Sequence, residues 1–159
     1  MLALRSLLFA LLLPGTVTLF IPYVLLSNSG VTGIPRWTAL QYAALPVIGV
    51  GFAVLVRCIV DFARHGRGTL APVDPPKDLV VHGLYRYVRN PMYLGVTAVL
   101  TGEVALFESL VLLRFVAAWF LLVNLVVIFY EEPVLRGRFG QSYEQYRRAV
   151  GRWIPRRMQ

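Results

Sequence analysis

Apolar residues along this chain come in long blocks, and polar residues gather between them. Met1 to Leu26 is apolar apart from Arg5 and a few hydroxyls, and a short polar turn from Ser27 to Trp37 follows it. Thr38 to Val60 is apolar again, and a long polar segment then runs from about Phe62 to Asn90. Apolar blocks resume from Pro91 to Phe107 and from Leu110 to Tyr130. Crossing ~30 Å of hydrocarbon takes about 20 helical residues. The pattern therefore predicts an all-α, polytopic membrane bundle of about four transmembrane helices, over about 3–26, 38–60, 91–107 and 110–130. It forms a single domain over 1–159, with a polar loop over 62–90 and a tail over 131–159. The first block is read as a membrane helix and not a signal peptide. It outruns an ordinary signal core and has no small-x-small cleavage site before the next polar stretch.

Punctuation within the blocks adds detail. Pro14-Gly15 is expected to kink the first helix. Pro91 opens the third, where its missing N–H costs nothing. Glu108-Ser109 marks a tight turn, and Arg114 is expected to reach out to Glu108 or Glu103. Arg57 and Asp61 are spaced to pair with each other or to reach headgroups. Beyond Glu131, residues Leu135, Phe139, Tyr143, Tyr146 and Val150 recur at intervals of three and four. That is one apolar face of an amphipathic helix, with interruptions expected at Gly137 and Gly140. Arginines on its other face predict a helix lying on the membrane surface, with Trp153 as an interfacial anchor.

Charge then orients the bundle. The chain has 16 Lys+Arg against 8 Asp+Glu, net +8, and Lys77 is its one lysine. With 57% hydrophobic residues, this basicity points to anionic headgroups, and no nucleic-acid partner is expected. The central segment and the tail are both rich in arginine, while the turns at 27–37 and near Glu108 are not. Four spans put both termini, the loop and the tail on one side, the cytoplasmic one, so loop and tail can meet. The single cysteine, Cys58, lies in an apolar block and reads as a buried hydrophobe. His65 and His82 stand 17 apart with no companion ligand, so no metal is expected.

Two places carry candidate chemistry. Gly66 to Gly95 is stiffened by Pro72, Pro75, Pro76 and Pro91 and carries Arg67, Lys77, Arg86 and Arg89. At its end Tyr85, Tyr87, Arg89, Asn90 and Tyr93 crowd donors and aromatic faces before a helix N-terminus. Such a place suits a polar ligand with an adenine ring or a carboxylate, and it is equally the pattern of an interfacial aromatic belt. The second place is Tyr130-Glu131-Glu132-Pro133. Carboxylates at membrane depth are expensive and usually functional. The alternatives are that Pro133 starts a helix whose first turn they decorate, or that they pair with surface arginines.

The loop with its RNPMYLG, a helical hairpin, then YEEP and the tyrosine-spaced tail together resemble the integral membrane methyltransferases. That family includes isoprenylcysteine carboxyl methyltransferases and phosphatidylethanolamine N-methyltransferases. The resemblance covers Gly66 to Pro155. It implies S-adenosylmethionine as cofactor, with S-adenosylhomocysteine as product, and a lipophilic acceptor entering sideways from the bilayer. Carried over by position, the cofactor contacts would be Lys77, Asp78, Leu79, Val80, Tyr85, Asn90, Pro91, Met92, Tyr93 and Glu131. Glu132 would support them and is the candidate base for an amine acceptor. The chain departs from the carboxyl methyltransferases at Asn90, where they have His, and at Val127, where they carry a substrate-binding arginine; YEEP leans toward the phospholipid branch. Gly95 and Gly102 lie on one helix face and would admit a bulky cofactor or a neighbouring helix. Two rival readings are a membrane NADPH-dependent sterol-type reductase and a non-enzymatic membrane lipid-binding protein. The acceptor and the oligomeric state stay open.

Overall fold

The computed structural model describes residues 12–31, 33–65, 79 and 81–156. It is all-helical: α1 (Leu12–Asn28), α2 (Ala39–His65), α3 (Pro91–Phe107), α4 (Leu110–Val126) and α5 (Glu132–Ala149). A π-turn over Val127–Glu131 joins α4 to α5, so the chain runs as one helical stretch from Leu110 to Ala149. The kink expected at Pro14-Gly15 takes the form of a second π-turn, Thr16–Phe20, where Thr18 Oγ1 donates to the Pro14 carbonyl at 2.7 Å.

The helices pack where side chains are smallest. A Cβ added to Gly51 of α2 would stand 2.8 Å from the Gly95 carbonyl oxygen and 2.9 Å from the Val99 nitrogen of α3. One added to Gly102 would stand 2.4 Å from Ile48 Cγ1. Gly95 and Gly102 therefore admit a neighbouring helix, and the missing side chains let two backbones nearly touch. Around that seam Leu55, Val96, Val99 and Leu100 form the core, joined by Val17 of α1 and by Phe115, Val116 and Trp119 of α4.

The ends of the helices are fastened by side chains. The backbone N–H of Thr38 donates to Gln41 Oε1 at 3.0 Å, the return half of a capping box. Gln41 is fully buried, and its amide donates to the Ala105 carbonyl at 3.3 Å and to Glu108 Oε1 at 2.6 Å. The start of α2 is thus tied to the α3–α4 turn. That turn is the tight one expected: Glu108 adopts φ 48°, and Ser109 caps α4 by accepting from the Leu112 N–H at 3.4 Å. Among the described residues no ion pair joins Arg114 to Glu103 or Glu108. Arg57 does pair with Asp61, at 3.2 Å.

Two helical stretches, Ala39–Asp61 and Leu110–Ala149, are long and apolar enough to cross a membrane; α1 and α3 are shorter apolar helices. Only 22% and 17% of their most apolar windows is buried inside the protein. Apolar helices left this bare need lipid around them, since water would leave the large area of exposed Leu, Val and Phe uncompensated. In α5 the expected apolar face exists: Tyr143, Tyr146 and Val150 cluster with Leu135, Phe139, Leu79 and Val81. The backbone breaks from helical geometry at Gly140 (φ 51°, ψ −122°) and runs through Gly137 without a break. Much of that face is covered by the end of the central loop.

Candidate functional site

The site is assembled where the loop, the head of α3, the π-turn and the tail converge. Gly83 takes φ +58° to open a single 3-10 turn, Gly83–Arg86. Tyr85 in that turn is buried against Cys58, with Val54, Leu84 and Met92 around it. Its carbonyl accepts from the Tyr146 hydroxyl at 2.7 Å, which docks the loop on α5. Further on, Val88 lies beside Gly151 in a parallel backbone bridge. The Arg89 N–H donates to the Gly151 carbonyl at 2.9 Å, and the Arg156 N–H donates to the Tyr87 carbonyl at 2.7 Å. Loop and tail meet, as the distribution of arginines suggested.

The two glutamates do different things. Glu132 opens α5 and is 7% exposed. It accepts from Arg89 Nη1 at 3.0 Å, from Arg152 Nε at 2.7 Å and from Arg152 Nη2 at 3.0 Å. Arg89 also donates to the Tyr143 hydroxyl at 3.3 Å. Burial pushes the Glu132 carboxyl up, but the Arg152 hydrogen bonds and the charges of Arg89 and Arg152 outweigh it and hold it below the ordinary carboxylate range. The same bond to Glu132 raises Arg152 in turn. Glu131 accepts a short hydrogen bond from the Tyr93 hydroxyl. Among the described residues no cation pairs with it.

Two tryptophan rings pack against the Tyr93 of that pair. Tyr93 meets Trp119 edge-on at 6.1 Å and Trp153 at 6.4 Å between ring centroids. Asn90 sits just before α3, and its amide donates to the Arg152 carbonyl at 3.3 Å. Arg89 contributes a further feature: its side chain is 10% exposed, and its buried Nε has no hydrogen-bond partner among the described residues. A buried guanidinium N–H without an acceptor is costly unless something else supplies one.

Of the residues singled out from sequence, Asn90, Tyr93, Glu131 and Glu132 come together here. Pro91 is buried at the first turn of α3, and Met92 packs inward on the Tyr85–Cys58 cluster. Leu79 packs against the Tyr143–Tyr146 cluster. Lys77, Asp78 and Val80 lie outside the described residues. The geometry adds Arg152 and Trp153, and gives Arg89 a defined part. Arginines in a basic tail and a tryptophan near an interface carry no local mark of a site; their partners are 20 to 60 residues away in sequence. Val127, at the position where a substrate-binding arginine would stand, is 1% exposed in the π-turn.

The chain is similar to known methyltransferases. Residues 40–142 match the family model described as phospholipid methyltransferase. Over 85 residues the chain is 40% identical to Protein-S-isoprenylcysteine O-methyltransferase of Schizosaccharomyces pombe, a match covering 48% of this chain and 33% of that relative. The matched region is thus about a third of that relative's length. No solved structure matches the chain.

Proposed function

The chain belongs to the phospholipid methyltransferase family, and from that premise we propose that it transfers a methyl group from S-adenosylmethionine to a lipophilic acceptor held in the membrane. The acceptor is a phospholipid amine or a prenylcysteine-like carboxylate. One observation carries the reading: beside a Glu132 neutralised by two arginines, Glu131 has no cation partner among the described residues and is bonded by Tyr93, whose ring packs against Trp119 and Trp153. Such a place accepts a ligand cation, by charge and by aromatic faces together.

The residues present fit the methyl donor. Its sulfonium and ammonium suit Glu131, its carboxylate suits the unpartnered Nε of Arg89, and its adenine suits the tyrosine and tryptophan faces. When bound, S-adenosylmethionine supplies an electrophilic methyl carbon. Everything else falls to the chain. Tyr93 fixes the Glu131 carboxylate by its hydrogen bond, and Trp119 and Trp153 pack against the Tyr93 ring that holds it. Glu132, the candidate base for an amine acceptor, is held ionised by Arg89 and Arg152. A carboxylate so stabilised is a poor proton acceptor, so we assign it the role of holding Arg89 in place. Leu79 and Tyr85 are assigned to the loop side of the same site, with Asn90, Pro91 and Met92 at the head of α3, while Lys77, Asp78 and Val80 are assigned to the cofactor by the resemblance alone. In this reading the chain crosses the membrane four times, with the site and both termini cytoplasmic.

The test is a radiolabelled methyl-transfer assay on total membrane lipids with the protein in lipid nanodiscs, followed by identification of the product. Alongside it, S-adenosylhomocysteine binding is measured for the wild type, Glu131→Gln and Tyr93→Ala. Undiminished binding in both variants would sink the site assignment.

A further inference from the structure

The end of the bundle far from Glu131 carries a groove of its own. Its volume is about 470 Å³, and it lies between the start of α2, the last turns of α3 and the start of α4. Leu40, Val104, Leu110 and Leu113 form apolar walls, and Thr101 and Glu108 line it seven residues apart, about 10 Å along α3. Leu40, Leu110 and Leu113 are exposed, so the groove opens outward. Glu108 is the charged residue of the lining. Its Oε1 accepts from the Gln41 amide at 2.6 Å, a neutral donor that leaves the carboxylate charge in place. Arg114 follows Leu110 by one turn on the same side of α4 and is exposed. Among the described residues neither Glu108 nor Arg114 forms an ion pair. A carboxylate and a guanidinium thus flank one end of an apolar groove without neutralising each other. The C-terminal end of the α3 dipole adds negative potential beside Glu108.

We propose that this groove is a second lipid site, which holds an acyl chain of an ethanolamine phospholipid with its ammonium on Glu108 and its phosphate on Arg114. Two opposite charges held apart at the head of an apolar groove match a zwitterionic headgroup above an acyl chain. An arginine one turn inside an apolar helix reaches outward to headgroup depth. A primary ammonium donates charge-assisted hydrogen bonds to the carboxylate, and a trimethylated one has no N–H to donate, so ethanolamine is preferred over choline. The 17 residues of α3 put Glu108 about 25 Å from the head of that helix, close to the ~30 Å thickness of the hydrocarbon. The lipid therefore sits in the leaflet opposite the methyl-transfer site and is not methylated where it is bound. That placement rests on the four-span reading above; the binding itself does not depend on methyl transfer.

Native mass spectrometry of the full chain, released from micelles containing dioleoyl phosphatidylethanolamine or dioleoyl phosphatidylcholine, tests it. The wild type retains the ethanolamine lipid with an apparent Kd about tenfold tighter than the choline lipid. Glu108→Gln keeps an acceptor for Gln41 and removes that preference. Leu113→Trp fills the groove from an exposed position and weakens retention of both lipids about tenfold. Equal retention of the two lipids by the wild type overturns the Glu108 contact, and unchanged retention in Leu113→Trp overturns the groove. A preference lost in Glu131→Gln and kept in Glu108→Gln puts the lipid at the methyl-transfer site and overturns the proposal. So does a dimer that forms in the wild type and is lost in Leu113→Trp, which would put a second copy in the groove. S-adenosylhomocysteine binding, measured on the same preparations, stays at the wild-type level in Glu108→Gln and Leu113→Trp. If the wild type binds none, the proposed function fails and lipid retention still decides this site.

Discussion

Glu132→Gln is the sharpest probe of how the site is held. Glu132 is 7% exposed and receives hydrogen bonds from Arg89 and Arg152, whose side chains are 10% and 31% exposed. It therefore joins three segments distant in sequence: the loop end, the start of α5 and the tail. Removing one member of a buried pair leaves the other charge uncompensated, and such losses run at about 3–5 kcal/mol. Arg152 can turn to solvent and Arg89 cannot, so the lower end applies, about 3 kcal/mol. The transmembrane helices do not unfold with it; the loss falls on the local docking of loop to tail. The assay is hydrogen exchange at the Arg89 and Arg156 amides, which donate to the Gly151 and Tyr87 carbonyls. Their protection falls about 150-fold if the full local effect is felt there. Glu144→Gln, which breaks only exposed pairs with Arg136 and Arg147, leaves those two amides within about threefold of the wild type. Equal protection in Glu132→Gln and the wild type would refute the reasoning.

Further outcomes follow from the same geometry. Because the folded-state pKa of Glu132 is depressed, its contribution is present above the unfolded carboxylate value and lost as pH falls through the folded one. Protection of the Arg156 amide should therefore drop on acidification below about pH 4 in the wild type and stay flat in Glu132→Gln. Tyr93→Phe removes one charge-assisted hydrogen bond to Glu131 and should weaken S-adenosylhomocysteine binding about tenfold by calorimetry. Gly51→Val drives a side chain into Gly95 and Val99 and should cost about 1–3 kcal/mol of stability, read as a lower melting temperature in detergent. Gly83→Ala places a Cβ 1.9 Å from Asp61 Oδ2 at φ +58°. It should loosen the turn that carries Tyr85 and raise protease cleavage between α2 and α3.

Much of this was legible before any coordinates. Long apolar blocks announce helices because a helix satisfies its backbone internally and needs only apolar side chains outside. The spacing of Leu135, Phe139, Tyr143, Tyr146 and Val150 marks the apolar face of α5, and Glu108-Ser109 marks the tight turn that the fold contains. The expectation of a membrane-surface helix was less complete, because Leu79 and Val81 cover part of that face. Asn90, Tyr93 and the glutamate pair stand out in the sequence because each sits in an unusual local context: before or just after a helix-opening proline, or beyond a long apolar run.

Local pattern does not separate Glu131 from Glu132; only the family resemblance gives them different parts. The adjacent letters are identical, and at a helical step of about 100° they point to different neighbours. Those neighbours, Tyr93 in one case and Arg89 with Arg152 in the other, are supplied by segments that only packing brings near. By itself the sequence determined helices, their apolar character and the meeting of two basic segments, all consequences of local periodicity and summed charge. Only the tertiary structure decided which carboxylate is neutralised and which is left open, because the free energy of a buried charge depends on the few atoms that touch it.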